Sequence, residues 1–197
     1  MSIRVLRRGA PAREARVGEG ARWLFEGRDF WAVESAPILV ASKNDAERSK
    51  FLAQDLAISA QEFGGGVLVI FSPEEEPGSM LDALGEALRA LFPELKLDSP
   101  KGSELMRWAS AVDRATKGSR VDSKRRLLIV DSFEAIWKGL SEERAQFAET
   151  LRCLARQRSL AVVASIAEDR LADCAELPGF SHAYRDLNLV PIVRRHF

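Results

Sequence analysis

Cysteine, histidine and long apolar runs are all scarce in this 197-residue chain, and each scarcity removes a class of function. The two cysteines, Cys153 and Cys174, are too few for a disulfide scaffold and neither has a partner at catalytic spacing, so both are expected as reduced thiols. The two histidines, His182 and His196, lack the neighbouring ligands of a zinc site, and no metal site is expected. A G-x-S-x-G nucleophile elbow is missing, as are internal repeats and low-complexity tracts. No apolar run approaches the roughly 18–20 residues of a membrane span, and the Arg-rich N-terminus lacks the apolar stretch of a secretory signal. The expectation is a cytoplasmic protein with no membrane role. Net charge is lacking too: 29 Lys+Arg balance 29 Asp+Glu, which argues against a chain built to coat nucleic acid but leaves room for local basic patches.

What is present is enough apolar sequence for a substantial core, 46% hydrophobic against 29% charged, in a length that suits one domain with a short appended arm. Residues 1–35 divide into a loosely docked basic arm, with Arg4, Arg7, Arg8, Arg13 and Arg16, and an aromatic lead-in carrying Trp23, Phe25, Phe30 and Trp31, which need burial. From 36 to 197 apolar runs alternate with helical periodicity. Ile38–Ala41, Val67–Phe71, Leu127–Val130 and Leu160–Ser165 read as buried strands. Between them, Phe51, Leu52, Leu56 and Phe63 share a helical face, as do Leu81, Leu84, Leu88 and Leu91 behind Ser79, then Leu105 and Val112, then Phe147, Leu151 and Leu154 from about Ser141. A short helix over Glu168–Ala175 and one or two strands between His182 and Val193 complete the pattern. Continuously apolar strands alternating with amphipathic helices predict an α/β fold with a mostly parallel central sheet and helices on both faces.

Three short segments carry more than periodicity. The stretch Ser42-Lys43-Asn44-Asp45-Ala46-Glu47-Arg48-Ser49, between a strand and a helix, overlies the phosphate-loop pattern G-x-x-x-x-G-K-[ST] with its chemistry altered. Ser42 and Glu47 stand at the glycines, Arg48 at the Lys, and Ser49 keeps the hydroxyl. Glycines let main-chain amides wrap phosphates, and a carboxylate at Glu47 would oppose them. The second segment is an apolar strand ending Ser72-Pro73-Glu74-Glu75, and the third is Leu127-Leu128-Ile129-Val130 ending Asp131-Ser132.

In order and spacing these segments resemble the RecA-like ATPases of the P-loop superfamily, within them the KaiC, RadA and DnaB-helicase branch, over roughly residues 36–195. The resemblance implies a three-layer RecA-like fold. It places Asp131 at the Mg²⁺-linked Walker B position, Glu74 or Glu75 at the water-orienting position, and Ser165 at a nucleotide-sensing strand tip. If the chain were active, Glu74, Glu75 and Asp131 would serve catalysis, and Arg48, Ser49 and Asp131 would be the nucleotide-binding candidates. The altered loop instead favours a pseudo-ATPase with no cofactor, acting on a protein partner or as a homo-oligomer, as regulator or scaffold of an assembly. A divergent ATPase using ATP and Mg²⁺ is the first alternative. The second is a DNA-binding accessory factor of recombination or repair, using Arg4, Arg7, Arg8, Lys124, Arg125 and Arg126 as nucleic-acid or partner contacts.

Overall fold

The structure, a computed structural model, describes residues 2–5, 13–16, 21, 37–62, 65–73, 79–93, 107, 110–112, 114, 125–157, 160–177, 180 and 189–193. Among the described residues, seven strands form one sheet: β1 (Ser2–Val5), β2 (Arg13–Arg16), β3 (Ile38–Ser42), β4 (Gly65–Phe71), β5 (Arg125–Val130), β6 (Leu160–Ala167) and β7 (Leu189–Val193). Their order is β2-β1-β7-β3-β6-β5-β4, and the five strands from β7 to β4 run parallel. Each parallel crossover carries helix. The first is α1 (Asp45–Lys50), which runs through a π-helical turn (Phe51–Leu56) into α2 (Ala57–Glu62); α3 (Met80–Leu91), α4 (Ser141–Ala155) and the short α5 (Leu171–Cys174) follow.

The strand alternation explains why helices cover both faces. Leu39, Ala41, Leu128, Val130, Val162 and Ala164 join one core with Leu84, Leu88 and Leu91 of α3 and Phe147, Leu151 and Leu154 of α4. The residues between them, Val40, Ile129 and Val163, point to the opposite face and are just as buried, as are Phe51, Leu52 and Leu56 of the first helix. Each such side chain taken from water contributes about 1.5–3 kcal/mol. The widened π turn, closed by the Ala57 N–H donating to the Leu52 carbonyl, turns Phe51, Leu52, Asp55 and Leu56 all inward. Ser79 starts α3 through a capping box: its Oγ accepts from the Asp82 N–H at 3.1 Å, and Asp82 Oδ2 accepts from the Ser79 N–H at 3.4 Å.

Within the N-terminal arm, residues 2–5 and 13–16 are strands: Ile3 and Val5 alternate with Ser2 and Arg4 in sequence, and β7 offers an edge to pair with. β1 takes that edge antiparallel, with Ser2 opposite Val193 and Ile3 opposite Ile192, and β2 pairs with β1. Residues 2–5 and 13–16 therefore belong to the same sheet as the later strands. Ala21, fully buried, donates its N–H to Ser59 Oγ at 2.9 Å and so docks on α2. The aromatic lead-in from Trp23 to Trp31 lies outside the described residues. Among the described residues no helix is long and apolar enough to cross a membrane.

Both cysteines are free. Cys174 is buried, and burial, helped by Asp173 and Glu134, pushes its thiol up to about 12. Cys153 is half-buried, and burial together with Glu149 raises it as well. A raised pKa keeps the neutral thiol dominant at pH 7–8, and the thiolate is the species that reacts. Iodoacetamide at pH 7.5 is therefore expected to label the folded chain slowly at Cys153, hardly at all at Cys174, and both quickly in denaturant. Fast labelling of the native chain at Cys174 would refute the placement of α5.

Candidate functional site

Parallel strands bring their C-terminal ends to one edge of the sheet, and in open α/β sheets ligands bind there. Here that edge gathers the ends of β3, β5 and β6. Asp131 follows β5, Ser165 lies near the end of β6, and α1 begins two residues after β3. Four residues singled out from sequence, Arg48, Ser49, Asp131 and Ser165, meet at this point. Ser49 Oγ donates to Asp131 Oδ2 at 2.8 Å, and Arg48 Nε lies 3.9 Å from Asp131 Oδ1. Ser165 Oγ donates to the same Oδ1 at 2.6 Å.

Sequence reasoning missed Glu134. It stands three residues after Asp131, in the first turn of a 3-10 helix (Phe133–Lys138) that starts after the left-handed Ser132. Glu134 Oε1 accepts from Arg48 Nη2 at 2.5 Å, and its other oxygen accepts from the Ala167 N–H at 3.3 Å. Asp45, 79% exposed, adds a third carboxylate 3.3 Å from Arg48 Nη2. Arg48 itself is 1% exposed, among the largest fully buried side chains. A carboxylate three residues past a strand-end Asp was the available signal, but only the pairing of β5 beside β6 gives it meaning.

The backbone at this point is as telling as the charges. Only Lys43 and Asn44 connect β3 to α1, and Asn44 is its N-cap, with Oδ1 accepting from the Glu47 N–H at 3.2 Å. Ser42, also buried, accepts the Asn44 N–H on its Oγ at 3.1 Å. Asp45, Ala46 and Glu47 are already helical, so they do not form the open loop that a phosphate pattern places there. A phosphate nest also uses a left-handed residue, and among the described non-glycine residues Ser132 alone has positive φ, at 54°. That conformation aims the Ser132 N–H at both Asp131 Oδ1 (2.9 Å) and Ser165 Oγ (3.0 Å), tying β5 to β6 at a cost of roughly 1–2 kcal/mol in backbone strain.

Beside this cluster a hollow of about 370 Å³ is lined by Ser42, Lys43, Ala167, Glu168 and Asp169. Lys43 is 81% exposed and sits 4.0 Å from Glu168, a surface pair of little energetic weight. Among the described residues no three His, Cys, Asp or Glu side chains converge to hold a metal ion. Glu74 and Glu75 lie outside the described residues, as do Arg7, Arg8 and Lys124. The basic residues that are described do not share a strand neighbourhood. Arg4 is on β1 and Arg125 on β5, four strand positions apart, or about 19 Å across the sheet. Arg126 lies with its guanidinium 4.2 Å from the centre of the Phe92 ring, so its cation is engaged within the fold.

Similarity to known proteins agrees with this architecture. No curated protein matches the chain. Among solved structures, one from the "Structure of Drosophila ORC bound to AT-rich DNA and Cdc6" superposes with a TM-score of 0.53 at 12% identity, over 80% of this chain and 48% of that one. The chain thus spans about half the length of that structural relative, and at this identity the likeness concerns the fold alone. A second, the cytoplasmic domain of the Thermomonospora curvata Type VII secretion ATPase EccC, gives a TM-score of 0.43 at 13% identity, over 93% of this chain and 21% of that one, too low to argue from. The model of the family described as Novel STAND NTPase 1 matches residues 52–196. The match begins after the Ser42–Arg48 segment and takes in Asp131, Glu134 and Ser165. With a mostly parallel sheet, a strand-end aspartate and this match over most of its length, the chain belongs to the Novel STAND NTPase 1 family and has a P-loop NTPase-type fold.

Proposed function

We propose that this chain is a nucleotide-independent member of its family, a pseudo-ATPase that acts through protein contacts as the regulator or scaffold of an assembly. One observation carries the reading: Arg48, at the position of the phosphate-loop lysine, is buried and ion-paired with Asp131 and Glu134. In an active site of this fold a cation neutralises the triphosphate, and the Asp acts through a bound Mg²⁺. Here the cation and the Asp neutralise each other. Asp45, Asp131 and Glu134 around a single guanidinium leave formal negative charge where phosphates would have to lie. The two-residue connection, with the Glu47 amide already taken by Asn44, supports the same conclusion. ATP and Mg²⁺ therefore do not fit this arrangement. The Ser-x-Glu-Glu and Asp-Ser strand ends support placing the chain near the RecA-like branch within the broader fold.

Thermal melting with and without 5 mM Mg·ATP tests the reading, with no change expected. A ligand at 100 times its Kd stabilises by about 2.7 kcal/mol, which for a chain of this size raises Tm by about 5–10 °C. A rise of that size would overturn the reading in favour of a divergent ATPase. The interaction half of the proposal predicts that the assembly state measured by light scattering is the same with and without ATP.

A further inference from the structure

The carboxylates at the strand ends do more than lose their metal in this reading. We propose that Asp131 and Glu134 form a cation seat and that Arg48 is its built-in occupant, an intramolecular substitute for an external cation. This rests on the nucleotide-independent reading and adds what the loop residue does in place of its lost role.

The geometry distinguishes a charge from a fork. Arginine usually recognises a carboxylate through two parallel N–H bonds. Arg48 does not: Nη2 alone serves Glu134 and Asp45, and Nε stays 3.9 Å from Asp131, beyond hydrogen-bond reach. Nε and Nη1 are both buried without an acceptor among the described residues. A side chain buried at that cost and held through one nitrogen is placed for its positive charge. The surroundings fit a cation as well. Ser49 Oγ and Ser165 Oγ both donate to Asp131, and Glu134 reaches the Ala167 amide, so the seat's acids are fixed from α1, β6 and the turn after β5 together. With the seat filled from within, the ends of β5 and β6 and the start of α1 are held in one arrangement without any ligand.

The experiment removes the occupant and offers others. Arg48→Ala in the full chain is melted against guanidinium chloride or MgCl₂ up to 20 mM, with NaCl matched for ionic strength. No nucleotide is present, so failure here is separate from ATP binding by the wild-type chain. The expected result is a rise in Tm of about 3–6 °C over the NaCl control when guanidinium or Mg²⁺ reaches ten times its Kd, none in the wild type, and none in the Arg48→Ala/Glu134→Gln chain. Equal melting in all salts, or rescue that survives loss of Glu134, would overturn the proposal. Should Arg48→Ala not fold, Arg48→Lys decides. Lysine supplies the charge without the fork, so Arg48→Lys should fold and melt within a few degrees of wild type. An Arg48→Lys chain as unstable as Arg48→Met would also overturn it.

Discussion

Arg48→Met is expected to destabilise the protein by about 3 kcal/mol, lowering Tm by about 6–12 °C, and Arg48→Met/Glu134→Gln is expected to recover a large part of that loss. The asymmetry follows from what each change leaves behind. Methionine fills much of the volume of the arginine stem, so packing changes little. What it strands is a pair of carboxylates only 17% and 20% exposed, with their counter-charge gone. Their remaining contact with water keeps the penalty at the low end of the 3–5 kcal/mol range for breaking a buried pair. Removing the charge of Glu134 as well takes away the main unpaired group, and an isosteric amide can still accept the Ala167 N–H. A double-mutant cycle by urea denaturation should therefore show coupling of at least 1 kcal/mol. Strictly additive effects would mean that Arg48 and Glu134 are neighbours without being partners.

The second large effect is expected at Phe133. Phe133→Ala should cost about 3–5 kcal/mol, whereas Phe133→Leu should cost about 1–1.5 kcal/mol. This ring is fully buried and stacks on Phe180 with centroids 4.8 Å apart, near Phe147 at 6.3 Å and edge-on to Trp137 at 5.9 Å. Its removal opens a cavity that three other rings cannot close without leaving their own contacts. The consequence for the site is more specific than lost stability. Phe133 anchors the 3-10 turn immediately after the left-handed Ser132, and that turn carries Glu134. Loosening it should release the Ala167 amide, which then exchanges its hydrogen faster than neighbouring β6 amides under native conditions. If Phe133→Ala lowers global stability but leaves Ala167 as protected as its neighbours, the turn is held by something other than this ring.

Most of the layered fold is legible in the sequence because its parallel strands are apolar on both faces. Ile38–Ala41, Leu127–Val130 and Leu160–Ser165 can only be buried strands at that length, and α3 and α4 declare themselves through leucines spaced three and four apart. Ser79 and Pro93 even mark the limits of α3. The N-terminal strands escaped because β1 and β2 are four residues each and rich in arginine. Ser2–Val5 is a strand only because β7 presents an edge to it, and no local propensity reveals an edge whose residues, Ile192 and Val193, lie at the other end of the chain. The site was half legible. Arg48, Ser49 and Asp131 follow from motif order, whereas Glu134 and the strained Ser132 do not.

The sequence by itself determined that the strand-to-helix segment Ser42–Ser49 carries Glu47 and Arg48 and no glycine, since residue type alone decides which charges and side chains are present there. Only the tertiary structure decided where that arginine goes. Its burial depends on β5 lying between β4 and β6, which sets Asp131 and Glu134 against the first turns of α1. The reason is that an ion pair is fixed by separation in space, and 86 residues of chain between Arg48 and Glu134 carry no record of it until the sheet closes the gap.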